Sequence, residues 1–197
     1  NSEQFSFPAA SLMIFRWIPN AICVGRILLV GPIVMLLFGE AYSSAFALIA
    51  IAGLSDALDG FLAKQFGWRT ELGSFLDPAA DKILVAGVFL TLTYIGIVPL
   101  GITIVVLARD VVIILGALAY RLLIAKVHYS PTSISKLNTL AQLIFVGLSV
   151  IEAALGWPSE VYLIAMGALV VFTSITSGLS YAMQWSKLDW WKIYASS

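Results

Sequence analysis

The chain has 197 residues, of which 60% are hydrophobic and 11% charged, more apolar surface than a soluble domain of this size hides. Eleven Lys and Arg balance eleven Asp and Glu, so the formal net charge is zero and no general basic surface points to nucleic acid. A single cysteine, Cys23, excludes an internal disulfide. These three facts place the chain among polytopic membrane proteins, with one domain over residues 1–197 and no internal repeat or low-complexity segment. The expected fold class is an all-α integral membrane protein. Six transmembrane helices follow a short N-terminal interfacial helix.

In chain order, residues 1–10 are polar and aromatic with Pro8, and read as a tail. Residues 9–18 are too short to span and carry Arg16 and Trp17, which suits a helix lying at the interface. The six-helix core is expected over 19–185. Pro19 starts a new direction, and helix one follows from about Asn20 to Phe38, with Cys23 packed in an apolar run. Gly39-Glu40 makes a tight return. Helix two covers about Ala41 to Lys64, and a short loop around Gly67 leads to helix three, about Glu71 to Ile95. Gly96 and Pro99 mark another return before helix four, about Pro99 to Lys126. Val127–Thr132, with the sole histidine His128 as an exposed loop residue, links to helix five, about Ser133 to Leu155. Gly156-Trp157-Pro158 turns into helix six, about Ser159 to Trp185. The tail, 186–197, ends in interface-seeking Trp190, Trp191 and Tyr194 between Lys187 and Lys192.

Six spans put both termini on one side. Arg16, Arg26, Lys64, Arg69, Arg121, Lys126, Lys136, Lys187 and Lys192 fall at one set of helix ends, whereas the opposite returns carry Glu40, Glu152 and Glu160. The positive-inside rule then sets both termini in the cytoplasm, or in the matrix of an organelle. A bacterial or mitochondrial inner membrane is the expected location.

Against this apolar background, Asp56, Asp59, Asp77 and Asp81 fall within 26 residues. On a helix, Asp56, Asp59, Gly60 and Ala63 share a face, and Gly73, Asp77 and Asp81 share another on the next helix. Like charges brought together cannot all stay ionised without a counter-charge. The simplest is a divalent cation or a pair of them, and carboxylates suit Mg²⁺, Mn²⁺ or Ca²⁺. Gly60, Ala63 and Gly73 leave the facing helices without bulk, so a nucleotide can approach the backbone; their alternative role is close helix packing. Asp81 and Lys82 lie roughly 15 Å into helix three at a 1.5 Å rise, a depth at which ionisable groups face a wet cavity and have a function. Pro78, between the last two aspartates, is expected to bend the helix.

The run Asp56-x2-Asp59-Gly60-x2-Ala63-Lys64-x8-Gly73-x3-Asp77-x3-Asp81 resembles the signature of the CDP-alcohol phosphotransferases, D-x2-D-G-x2-A-R-x8-G-x3-D-x3-D. Lys64 stands where the family has Arg; it keeps the charge and loses the bidentate fork, for which Arg69 is a substitute. Pro19-Asn20 followed by Arg26 resembles the family's first-helix pattern, with Cys23 in place of Thr. Leu76-Asp77-Pro78-Ala79-Ala80-Asp81-Lys82 resembles the phosphatidylglycerophosphate synthase and cardiolipin synthase branch. Leu107-Ala108-Arg109-Asp110, Pro131-Thr132, Ser135-Lys136-Leu137-Asn138-Thr139 and Gln142 look most like eukaryotic-type cardiolipin synthases.

The resemblance implies phosphatidyl transfer from CDP-diacylglycerol to an alcohol, with Asp56, Asp59, Asp77 and Asp81 as metal ligands for Mg²⁺ or Mn²⁺, two ions per site. It implies nucleotide contacts at Asn20, Asp56, Gly60, Ala63, Lys64 and Gly73, and Asp81 as the catalytic base. It also implies a homodimer. Arg109, Arg121 and Lys136 are the candidate cations for the acceptor's phosphate. Arg109 is costly in mid-membrane unless it faces a cavity or pairs, and Asp110 is expected to point elsewhere on the helix. Ser135 and Thr139 are expected to cap and pack helix five. The charge count does not choose between acceptors; the Ser135–Thr139 segment favours phosphatidylglycerol, giving cardiolipin and CMP. Glycerol 3-phosphate is the alternative acceptor. A divalent-cation transporter is the alternative from another class, but helices away from the aspartates offer almost no acidic residues for an ion path.

Overall fold

The computed structural model describes residues 18–66, 71–123 and 133–186, with side chains for 24–55, 80–116, 134–181 and 183. Among them the chain is all-helical: α1 (Ile18–Phe38), α2 (Tyr42–Phe66), α3 (Glu71–Tyr94), α4 (Leu100–Leu123), α5 (Ser133–Leu155) and α6 (Glu160–Ser186). These are the six helices expected from the hydropathy pattern, each within two or three residues of the expected ends. The tail and interfacial helix of residues 1–17, the loop around Gly67 with Arg69, Lys126 and His128 in the fourth connection, and the C-terminal aromatics lie outside the described residues. α3 is continuous across position 78; the influence of Pro78 on it lies outside the described side chains.

Three returns are built alike, from a residue in the left-handed region that lets the last carbonyls of a helix find donors. After α1, Glu40 takes φ 57°. Its N–H donates to Leu37 O at 3.2 Å and the Ala41 N–H to Leu36 O at 2.9 Å, the paired bonds of a Schellman end. Gly39 does not fill the left-handed position; a Cβ there would sit 3.3 Å from Met35 O. After α3, Gly96 (φ 83°) repeats the motif, with Gly96 N–H to Thr93 O and Ile97 N–H to Leu92 O. After α5, the Gly156 N–H closes on Glu152 O at 2.7 Å.

The chain divides into two compact units, Asn1–Thr91 and Leu92–Ser197. In the first, α1 packs along α2. The buried face of α1 carries Arg26, Ile33 and Leu37, and that of α2 carries Ala45, Ile49 and Ala52, at the three- and four-residue steps of one helix face. α3 approaches α1 where Gly87 lacks a side chain: a Cβ there would lie 2.9 Å from Val30 Cγ1, a stiff β-branched group.

In the second unit, α6 packs against both α4 and α5. Its buried stripe runs Gly167, Val170, Ser174, Ser177 and Tyr181, a strict three-four alternation. Four of these five are small or β-branched, which is how helices approach closely where van der Waals contact supplies the attraction. At Gly167, Ile102 of α4 and Phe145 of α5 both come within reach of the missing side chain. At the start of α4, Thr103 Oγ1 meets Thr93 Oγ1 at 2.5 Å.

Polarity is arranged inside out. Leu28, Met35, Tyr94, Val161, Tyr162 and Phe172 are exposed, while Arg26, Arg109, Asp110, Asn138 and Gln142 are buried. A water-soluble bundle places these two sets the other way round. By length and composition α5 (over Ile134–Leu155) and α6 (over Glu160–Tyr181) are apolar enough to cross a membrane.

Candidate active site

The aspartate run occupies two successive helices. Asp56 and Asp59 lie one turn apart on α2, followed by Gly60, Ala63 and Lys64, and Gly73, Asp77 and Asp81 step by four along α3. The helical backbone expected for this spacing is therefore present on both sides of the loop. The side chains of Asn20, Asp56, Asp59, Gly60, Ala63, Lys64, Gly73 and Asp77, and that of Arg121 on α4, lie outside the described set. Among the described side chains no three acidic, histidine or cysteine groups converge, and only Asp81 of the four aspartates belongs to that set.

Asp81 is held from α1. Arg26 Nη1 lies 3.5 Å from Asp81 Oδ1, with the arginine side chain 1% exposed and the carboxylate 30% exposed. The distance is the outer limit of a hydrogen bond, so the contact is chiefly Coulombic. Arg26 sits two turns inside α1, and a buried guanidinium needs a counter-charge. Its Nε has no hydrogen-bond partner. The Asp81 side chain keeps part of its surface exposed. The donor set of the run consists wholly of carboxylate oxygens at one-turn spacing, which fits a hard divalent ion. Lys82, beside Asp81, is half-buried.

In the second unit Arg109 and Asp110 are buried charges, and Arg109 is the centre of a cluster. Its Nη1 donates to Asp110 Oδ1 at 2.7 Å, and its Nη2 donates to Ser135 Oγ at 2.6 Å on α5 and to Ser177 Oγ at 2.8 Å on α6. One guanidinium thus ties three helices. Its stem runs beside Gly178, where a Cβ would make ordinary van der Waals contact with Arg109 Cγ at 3.8 Å. The expectation that Asp110 points elsewhere on the helix is corrected. Adjacent residues diverge by about 100° at Cβ, but the long flexible arginine stem swings back along the helix surface. Burial of both groups rewards that conformation, because a charge withdrawn from water gains from an opposite charge nearby. Ser135 is likewise more than a cap: its hydroxyl receives Arg109, while Thr139 Oγ1 back-bonds to Ser135 O at 3.2 Å. Lys136, the next residue, is exposed.

Thr173, Ser174 and Ser177 of α6, which sequence reasoning missed, complete this region beside Asn138 and Gln142 of the Ser135–Gln142 stretch. Asn138 Oδ1 meets Thr173 Oγ1 at 2.9 Å and Ser174 Oγ at 2.8 Å, and Gln142 lies one turn further along α5. The available signal was the placement of Ser174 and Ser177 on the same face of α6 as Gly167; the hydropathy of that helix conceals it, because hydroxyls lower an apolar average only slightly.

The CDP-alcohol phosphatidyltransferase family model matches residues 16–176. The human cardiolipin synthase (CMP-forming) is 35% identical over 180 residues, covering 83% of this chain and 60% of that protein. The chloroplastic CDP-diacylglycerol–glycerol-3-phosphate 3-phosphatidyltransferase 1 of Oryza sativa subsp. japonica is 30% identical over 193 residues, 88% of this chain and 58% of that protein. A probable phosphatidylglycerophosphate synthase of Mycobacterium tuberculosis is 31% identical over 169 residues, 82% of this chain and 78% of that protein. With the motif on two adjacent helices and a match over most of its length, the chain belongs to the CDP-alcohol phosphatidyltransferase family. It spans about 60% of the length of the human and rice relatives.

Proposed function

We propose that the chain is an integral membrane phosphatidyltransferase that moves a phosphatidyl group from CDP-diacylglycerol to the free hydroxyl of phosphatidylglycerol, giving cardiolipin and CMP. The observation that carries this is the full aspartate run, laid on two consecutive helices, with its last carboxylate set against a buried arginine. The Ser135–Thr139 segment and the human relative's name favour cardiolipin formation.

All six helices have at least 21 residues, and about 20 suffice to cross a bilayer. Together with the apolar exterior, this supports six spans. The lysine and arginine distribution favours the cytoplasmic or matrix side for the aspartates. A homodimer is part of the reading.

Asp56, Asp59, Asp77 and Asp81 are the residues to hold divalent metal, Mg²⁺ or Mn²⁺ and two ions in the fuller form. Such metal, when bound, offsets the charge of the pyrophosphate and of departing CMP. Asn20, Gly60, Ala63, Lys64 and Gly73 are assigned to the nucleotide. Asp81 takes the proton of the acceptor hydroxyl as that oxygen bonds to the lipid-linked phosphorus and the bond to CMP breaks. Arg26 keeps the Asp81 carboxylate oriented. Lys136 and Arg121 are the cations for the acceptor's phosphodiester, and Arg109, already engaged with Asp110, Ser135 and Ser177, anchors the helices behind them.

A second reading uses glycerol 3-phosphate in the same chemistry; the names of the rice and mycobacterial relatives favour it. Purified protein given CDP-diacylglycerol and each acceptor in turn, with products separated by mass, distinguishes the two. Cardiolipin from phosphatidylglycerol is expected. Equal or greater turnover with glycerol 3-phosphate overturns the choice of acceptor.

A further inference from the structure

The seam between α5 and α6 holds hydrogen-bonding capacity that no described protein group uses. Asn138 and Gln142 lie one turn apart on α5, and both are fully buried. Neither Gln142 Oε1 nor Gln142 Nε2 has a partner, and Asn138 Nδ2 has none either. The amide of Asn138 has two possible orientations, and both leave one end unpaired. With its oxygen towards α6 it accepts from Thr173 and Ser174, and its NH₂ is left over. Thr173 has one hydroxyl hydrogen, however, and Leu169 O lies 2.8 Å from the same oxygen. Should that hydrogen go to Leu169, the Asn138 amide turns over, its NH₂ donates to the hydroxyls, and its oxygen is left over.

A buried amide atom without a partner costs its desolvation, and three such atoms on two side chains one turn apart are not sustained by neighbouring apolar contacts. The chemistry of the missing partner follows from the set itself. Gln142 Oε1 needs a donor, and Gln142 Nε2 needs an acceptor. A bare anion supplies only acceptors, and a metal ion satisfies only oxygens. A hydroxyl supplies both. The seam runs towards Ser135, which is half-buried beside exposed Lys136, so its nearer end is the less sealed one.

We propose that Asn138 and Gln142 form a binding site for a hydroxyl-bearing guest held between α5 and α6. Two sources share that chemistry: water, and the glycerol head group of the acceptor lipid, the latter resting on the function proposed above. Neither side chain then packs as an inert core residue; both belong to a polar subsite continuous with the Arg109–Ser135–Ser177 cluster.

The test is Gln142→Met, which keeps length and volume and removes both hydrogen-bonding ends. Thermal melts of the purified full chain are recorded in detergent with and without phosphatidylglycerol. If water is the guest, the lipid-free midpoint falls by about 4 °C. If the head group is the guest, the rise in midpoint given by phosphatidylglycerol is lost, and KM for that lipid increases about tenfold with KM for CDP-diacylglycerol unchanged. A midpoint that rises in the variant, with the lipid-dependent shift intact, overturns the site. A second measurement does not depend on how the variant folds. In wild-type protein labelled with ¹⁵N at glutamine, the Gln142 side-chain NH₂ is expected to show a cross-peak to water or to head-group protons, identified by its loss in Gln142→Asn. A Gln142 signal with neither cross-peak also overturns the site, whatever the melts show. Failure of the wild type to make cardiolipin would remove the head-group source and the acceptor reading together, leaving the lipid-free melt and the water cross-peak to decide the site alone.

Discussion

Asp81→Asn is expected to lower turnover by about 10²–10⁴-fold, the range over which a positioned acid or base acts, while CDP-diacylglycerol binding stays within about twofold of wild type. The substitution preserves shape and removes the charge and the proton-accepting oxygen. Asp81 is the last carboxylate of the run and is set against Arg26 at 3.5 Å. Neutralising it also weakens the contact with that buried guanidinium, so a lower melting midpoint should accompany the loss of activity. Retained binding of the CDP-lipid, measured by equilibrium titration of the folded fraction, separates the catalytic effect from the structural one. Loss of metal binding with loss of turnover would instead make Asp81 first of all a ligand, and the proton acceptor would have to be sought elsewhere.

The second large effect is expected at Arg109. Arg109→Met removes the guanidinium bonded to buried Asp110 and strips a donor from Ser135 and Ser177, on two other helices. Breaking such a pair costs about 3–5 kcal/mol, or roughly 10 °C in melting midpoint for a chain of this size. Asp110→Leu alone should be damaging for the complementary reason. Combined, the two substitutions replace an ion pair with apolar groups and should recover most of the loss. The double variant also reports on the acceptor. With Arg109 serving as an anchor, the recovered protein keeps its KM for phosphatidylglycerol. A rise of tenfold or more, without change in KM for CDP-diacylglycerol, would put Arg109 on the acceptor's phosphate instead.

The helices were legible because their ends are punctuated. Gly39-Glu40, Gly96 to Pro99 and Gly156 to Pro158 interrupt long apolar runs; α1, α3 and α5 end, and α2, α4 and α6 begin, beside them. The motif was legible because helical spacing converts Asp56, Asp59, Asp77 and Asp81 into two faces. Finer features were hidden for physical reasons. Gly39-Glu40 suggests glycine as the left-handed residue, yet the hydrogen bonds to Leu36 and Leu37 place Glu40 there. The Arg109–Asp110 bond defeats a rule based on Cβ directions, because the arginine stem is long enough to ignore them. The polar seam defeats hydropathy, because Thr173, Ser174 and Ser177 contribute little to the average of an otherwise apolar helix while carrying its buried hydrogen bonds.

What the functional reading depends on is that the carboxylates of α2 and α3 grip metal against a nucleotide diphosphate. Electron–nuclear double resonance of Mn²⁺ bound to the purified protein in the presence of CDP tests this directly. The expected result is bound Mn²⁺ with ³¹P coupling, both lost on Asp56→Asn, Asp59→Asn or Asp77→Asn. Mn²⁺ that binds without phosphorus coupling, or with an affinity indifferent to those three substitutions, would contradict it.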